Sequence, residues 1–423
     1  MPEIEAIPQE TKERIEQIGA ADLVIGISSA GGGEQTGATL EVVRAAIKRP
    51  SSPRTVLVHA GDPKLEDTLD DGFASDGSLR FLRCPALGAE HLPGIPNGLS
   101  DASRALFTIS KSLGARACAL LASDMGVFEE NRLLHLIRPV LELNFDLVVP
   151  WYARHQLEGL LNTSIICPLT RSLYGKRIRW PAASDFGFSA RLIERYLIPE
   201  APAFAASRRG QLIWMVTTAV SEGFEVCQAR VKAGAQPPKD PPDLSSALAQ
   251  IAGAVFTDME RTAAIWQRVR GSQPVRTFGT EPDVPAGAFA GGVQSMVESF
   301  QRGFQNLQEV WSLILPPATL LELKKLTRLP SDHFHLSDEL WARIVFDFAL
   351  GHRLRVINRD HLLRAITPLY LAWVASYASE VQANSTASAV AATDHRVEQL
   401  CVAYETQKPY LLSRWRWPDR FSS

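Results

Sequence analysis

Between residues 21 and 150, short apolar runs alternate with stretches of helical spacing. Leu23-Val24-Ile25-Gly26-Ile27 is too short for a helix and is closed by the small residues Ser28 to Gly33, which reads as a buried strand. Thr55 to His59 reads as a second strand, ended by Gly61-Asp62-Pro63, and Leu79 to Cys84 as a third. Ala117 to Leu121 is a fourth, ended by Ser123-Asp124, and Phe145 to Pro150 a fifth. Helical spacing over residues 10–19, Thr39 to Ile47, Ala102 to Leu113 and Asn131 to Leu143 separates them. Strands alternating with helices predict an α/β domain with a mixed, mostly parallel sheet covered on both faces.

Gly234 to Pro242 holds four prolines and excludes regular structure. Beyond it strand patterns vanish. Leu244 to Val269, Phe289 to Leu315, Leu336 to Leu354 and Asp360 to Ser379 have helical spacing, with Ser337 placed to cap the third, and Gly271 to Gly287 reads as a long loop. The pattern predicts a short helical lead-in (1–20), an α/β domain (21–240) and an all-helical domain (241–423). Trp373 to Tyr377 reads as an exposed aromatic stretch, and self-association of the helical domain into a homodimer is the expectation.

Composition narrows the function classes. The chain has 423 residues, 46% of them hydrophobic, enough for two cores. A formal net charge of -2 provides no global basic field for nucleic acid. Lys176-Arg177-Ile178-Arg179 and Arg414-Trp415-Arg416 are local basic stretches that either meet phosphate or lie solvated on the surface. Five scattered cysteines without CxxC spacing point to reduced thiols and a cytoplasmic protein. No apolar window approaches the roughly 18 residues of a membrane span.

In such sheets ligands bind beyond the carboxyl ends of the strands, so the loops after Ile27, His59 and Leu121 are the candidate site. Gly31-Gly32-Gly33 breaks the G-x-G-x-x-G dinucleotide pattern at Thr36 and reads as a turn over a nucleotide base or a plain loop. Ala119-Leu120-Leu121-Ala122-Ser123-Asp124 delivers a carboxylate at a strand end, where it either holds a divalent cation or closes a turn. In Trp180 to Ser189, Asp185 either binds sugar hydroxyls or, like Ser189, caps the following helix. His333 and His335 beside Asp332 read as surface or N-cap residues.

Four stretches resemble one family. They are Ala21 to Ile27; Arg177 to Leu197, with Trp180-Pro181 and Asp185-Phe186-Gly187-Phe188-Ser189; Ile213-Trp214-Met215 to Val226 with Lys239-Asp240-Pro241; and Leu340 to Phe348 with Arg359 to Leu363 and Thr367 to Leu371. Together they resemble the bacterial family-2-like glycosyltransferases related to glucosylglycerate and mannosylglycerate synthases. The resemblance implies a GT-A domain with a helical domain, a UDP- or GDP-linked sugar donor, a small acceptor such as glycerate or a sugar, retention of anomeric configuration, and a Mg or Mn ion. On this chain it points to Ser28, Ser29, Asp62, Asn97, Asp124, Arg179, Lys232 and Lys239 around the donor, to Asp124 at the metal, and to Asp185 as the catalytic group.

The chain also departs from the family. The donor-loop lysine is missing from Pro96-Asn97-Gly98, and the first acid of the metal motif falls at Ala122. A further acid falls at Leu212, and the metal-binding histidine falls at Gly234. Neither Leu nor Gly has a side chain able to ligate a cation, and losing these groups together removes much of the charge stabilisation that the chemistry needs. The alternative is therefore a catalytically inactive homologue that binds or scaffolds.

Overall fold

The computed structural model describes residues 7–28, 43, 46, 53–59, 79–84, 101–122, 130–198, 201–206, 208–232, 243–280, 292–383 and 389–418. The chain forms two compact units, each drawn from three separate segments: residues 1–153, 178–236 and 274–283 make the first, and 154–177, 237–273 and 284–423 the second.

The first unit carries α1 (Gln9–Ile18), β1 (Leu23–Ser28), β2 (Thr55–His59), β3 (Leu79–Arg83), α2 (Asp101–Ser112), β4 (Ala117–Ala122), α3 (Glu130–Leu143), β5 (Leu147–Ala153), β6 (Phe186–Ser189), α4 (Ala190–Leu197), α5 (Arg208–Ser221), β7 (Val226–Lys232) and β8 (Thr277–Phe278). Its sheet has the order β8-β7-β5-β6-β4-β1-β2-β3. Every pairing is parallel except those of β6, which runs antiparallel between β4 and β5. The mixed, mostly parallel sheet expected from the alternation is thus present. The fifth strand starts two residues later than its apolar run suggests, after Asn144 turns the chain in the left-handed region (φ 59°), and continues to Ala153, which pairs with Lys232 of β7.

Three strands of this sheet escape the apolar reading: β6, β7 and β8. β6 has only four residues, Phe-Gly-Phe-Ser. Its alternation is nonetheless functional: Phe188 meets Phe107 of α2 edge-on at 5.1 Å, and Gly187 faces the opposite layer. A Cβ at Gly187 would lie 2.1 Å from the Leu136 carbonyl oxygen, so α3 packs on bare backbone there. β7 is missed as well, although Cys227, Ala229 and Val231 alternate with Gln228, Arg230 and Lys232. The last omission is β8. It lies within the segment Gly271 to Gly287 read as loop and adds two residues to the edge of β7, too few to leave a periodic signal.

The second unit is helical, as expected. Ser337 accepts the Leu340 amide and caps the helix Asp338–Leu354. The single helix read from Asp360 to Ser379 is instead two, Arg359–Ala365 and Thr367–Ala383, because Pro368 has no N–H to continue the ladder. Trp373 and Tyr377, read as exposed, are buried in a column: Trp373 stacks on Trp341 at 6.2 Å and on Tyr377 at 5.0 Å. The observation behind the expected homodimer is therefore overturned, since the unit covers its own aromatic stripe. Arg414, placed in a basic surface stretch, is buried and pairs with Asp347 at 2.9 Å.

The helix Cys167–Tyr174 is the unit's least expected member, arriving ahead of the rest of it in sequence. Its Arg171 pairs with Glu398 and with Glu405 (3.1 Å), both on the helix Ala389–Arg416. Lys408 of the same long helix donates to the carbonyls of Ser172 (2.6 Å) and Val269 (3.0 Å). These bonds satisfy acceptors that a helix end leaves open. All five cysteines are reduced and buried. No helix among the described residues is long and apolar enough to cross a membrane.

Candidate functional site

The polarity of β6 builds the site. Leu120 pairs with Phe186 and Ala117 with Ser189, so β6 begins where β4 ends. The residue before it, Asp185, therefore stands at the carboxyl edge of the parallel strands, the edge at which ligands of such sheets bind. Asp185 does not cap the following helix. Ser189 does, accepting the Leu192 amide at 3.2 Å.

Asp185 is fully buried. One of its carboxylate oxygens accepts the Ala122 amide (2.8 Å) at the end of β4. The other accepts the Arg132 guanidinium from the start of α3 and the Tyr152 hydroxyl (2.7 Å) from β5. The Tyr152 oxygen in turn accepts the amides of Ser184 and Asp185, each at 3.3 Å. Burial works against the charge on Arg132, but Asp185 and Tyr152 outweigh it and hold its pKa above the ordinary value. Trp180 packs edge-on against Tyr152 at 5.6 Å, and the Arg179 guanidinium lies 5.2 Å over the Trp180 ring. The Arg179 amide donates to the Gln228 side chain of β7 at 2.6 Å. His59, the last residue of β2, is buried at the same edge and kept neutral, its pKa lowered to about 4 by desolvation and by Arg83.

Ser28 and Lys232 are the last residues of β1 and β7, so both backbones reach this edge. Ser28 is in register with Ala122 and thus beside the Asp185 anchor. Lys232 ends four strand spacings away in the sheet order, roughly 19 Å, so the two flank the edge rather than meet. Ser29, Asp62, Asn97, Asp124 and Lys239 lie outside the described residues, as does the Gly31-Gly32-Gly33 turn.

Three participants are absent from the sequence expectations: Arg132, Tyr152 and His59. Arg132 carries a local signal, since a cation in the first turn of a helix opposes the helix dipole and calls for a nearby anion. Tyr152 and His59 carry none, because nothing in a strand sequence reports which residue ends beside an acid from another strand.

Other acids behave differently. Asp146 accepts the Glu225 amide (2.9 Å) and the Ser189 hydroxyl (2.8 Å) and pairs with Arg191. Asp22 accepts the Arg54 amide (3.0 Å) and pairs with its side chain. Both stand at the amino ends of strands and staple neighbouring strands away from the ligand edge.

Among the described residues, no three His, Cys, Asp or Glu side chains gather into a metal-binding group. Asp185 does not fit as a second carboxylate ligand beside Asp124, because both of its oxygens are engaged and a guanidinium sits against it. His333 pairs with Asp332 (3.0 Å) on the surface and His335 with Glu380 (3.1 Å), consistent with surface roles.

Neither a family model nor a curated protein matches the chain. Among solved structures, the chain is similar to glucosyl-3-phosphoglycerate synthase from Mycobacterium tuberculosis in complex with Mn2+, UDP and phosphoglyceric acid. That match has 14% identity and a TM-score of 0.40, over 58% of this chain and 82% of that chain. The same enzyme with Mn2+, UDP-glucose and phosphoglyceric acid matches at 15% identity and 0.41, over 60% and 85%. A mycobacterial protein matches at 16% identity and 0.41, over 60% and 80%. At these values the likeness is similarity alone, and the fold rests on the strand order and polarity above.

Proposed function

We propose that this protein is a glycosyltransferase of GT-A type that moves a sugar from a nucleoside-diphosphate donor to a small acceptor, glycerate-like or a sugar, with retention, in the cytoplasm. The observation that carries this reading is the convergence at one sheet edge. The antiparallel β6 brings Asp185 to the carboxyl ends of β4 and β5, where it meets Tyr152 of β5, with Trp180 and Arg179 packed beside that tyrosine. The resemblance points to Ser28 and Lys232 as donor residues, and these end β1 and β7 at the same edge. Asp124 would face the diphosphate, two residues beyond Ala122, directly or through a divalent cation that offsets the charge of the leaving group. Arg179, Lys232 and Lys239 are the cations available for the same task.

A second reading is an inactive homologue that keeps the scaffold. It is favoured by the engagement of Asp185, which leaves the described edge without a free carboxylate, and by Leu212, an apolar residue buried within α5 where the resemblance implies an acid.

Calorimetric titration with UDP- and GDP-sugars, with and without Mn2+, separates the two. Micromolar to submillimolar binding of one donor class, strengthened at least tenfold by Mn2+, is the expected outcome. Binding of equal strength without metal assigns the charge to Arg179, Lys232 and Lys239. No binding of any donor at millimolar concentration overturns the transferase reading.

A further inference from the structure

We propose that Asp185 is a positioning residue whose carboxylate ties the end of β4 to the start of α3 and to β5, and so sets the frame from which the acidic connection between β4 and α3 leaves the sheet. This inference rests on the reading of the edge as a donor site, and it changes the part Asp185 plays there: the carboxylate does not touch the donor sugar.

Three observations carry it. First, Asp185 joins three elements that are separate in sequence, through the Ala122 amide, the Arg132 guanidinium and the Tyr152 hydroxyl. Second, Ala122 and Arg132 bracket one connection in the chain, the one that contains Asp124. A single carboxylate that holds both brackets fixes their separation and direction. Third, the network is closed to solvent: Arg132 is 2% exposed and Asp185 0%. A ligand hydroxyl could reach the carboxylate only by opening this solvent-closed network, and disturbing a buried ion pair is strongly unfavourable. Asp22 and Asp146 show the same device, acid to amide plus arginine, at the opposite ends of the strands. Asp185 is its counterpart at the ligand edge.

The test is hydrogen–deuterium exchange on the full chain, with UDP and UDP-glucose titrations in Mn2+ on the same variants. Asp185→Asn keeps an acceptor for Ala122 and loses the charge facing Arg132. Tyr152→Phe keeps the ring against Trp180 and removes one donor, and serves if the first variant does not fold. The double variant Arg132→Met with Asp185→Asn removes the buried charges together. In Asp185→Asn, amides in peptides covering residues 117–136 are expected to exchange at least tenfold faster, with β1 and β2 unchanged. Tyr152→Phe should give a smaller rise, about threefold, in the same peptides. Unchanged exchange, or a uniform rise across the sheet, overturns the proposal.

In the titrations, Asp185→Asn should weaken UDP and UDP-glucose equally, about tenfold. Loss confined to the advantage of UDP-glucose over UDP would mean that the carboxylate touches the sugar, and would also overturn it. If the unsubstituted protein binds neither probe, a UDP-linked donor is ruled out, and the exchange result alone decides the positioning role.

Discussion

Two buried ionisable side chains in the helical unit give residue-level predictions of opposite kind. Lys408 spends its ammonium on main-chain carbonyls, including Ser172 near the end of the helix Cys167–Tyr174, and burial lowers its pKa to about 8. Lys408→Met fills the same space and leaves those acceptors without their donor. The expected cost is about 2–3 kcal/mol, read by urea unfolding at pH 7. Asp347 is the converse case. Burial pushes its carboxyl up to about 7 from 3.8, against the pull of Arg414 and the Tyr410 hydroxyl. The folded state then binds a proton that the unfolded state has released, so the group favours folding below about pH 4 and that contribution is lost as pH rises toward 7. The stability difference between Asp347→Asn, which cannot ionise, and the unsubstituted protein should move in the variant's favour by up to about 4 kcal/mol from pH 4 to pH 7, on top of a pH-independent cost of leaving the buried Arg414 without its partner. Parallel pH profiles of melting temperature that never diverge would show that the carboxyl keeps its ordinary pKa.

Elements are placed by close approach as much as by apolar periodicity. β6 enters the sheet with its polarity reversed and brings Asp185 to the ligand edge, and Gly187 is what allows α3 to lie against it. Gly187→Ala would set a methyl group against the Leu136 carbonyl, which belongs to the helix backbone and cannot turn aside. The expected penalty is about 3 kcal/mol in chemical unfolding, since overpacked sites yield only by moving backbone. The strands β1, β2 and β4 were legible because each is buried on both faces and reads as a continuous apolar run. β6 and β8 were not, since four and two residues make no period, and their pairing depends on neighbours far away in sequence. The helices of the second unit were legible in kind, and Ser337 marked one start correctly, but the break before Pro368 was passed over because the apolar spacing continues through it.

Across the whole molecule, the units interleave along the chain, and this bears on any attempt to divide it. The proline-rich stretch near residue 240 lies beside one passage between units, yet residues 154–177 belong with the helical unit. A fragment of residues 241–423 would lack the helix Cys167–Tyr174. It would strip Arg171 from Glu398 and Glu405, and the Ser164 carbonyl from the Trp341 indole (2.9 Å) and the Tyr404 hydroxyl (2.9 Å). The losses leave the Trp341 indole and the Tyr404 hydroxyl without their acceptor, and Glu398 and Glu405 without their cation. We expect this fragment to melt without a cooperative transition by circular dichroism, and a version with residues 154–177 joined back through a flexible linker to recover one. A sharp, reversible transition in the shorter fragment would contradict the assignment of that segment.

By itself the sequence determined the class of each half. Apolar runs of strand length between amphipathic helices leave few arrangements other than a covered, mostly parallel sheet, and loss of strand patterns after the proline-rich stretch leaves helices to pack on one another. It also determined which chemistry was on offer, because residue types such as Asp185 and Arg179 are local facts. Tertiary structure alone decided what those residues do. Whether Asp185 faces a ligand or a guanidinium depends on Arg132 and Tyr152, 53 and 33 residues away, and on the reversed direction of a four-residue strand. The buried place of Trp373 depends in the same way on Trp341. Burial and pairing are properties of neighbours in space, and a pattern along the chain reports only neighbours in sequence.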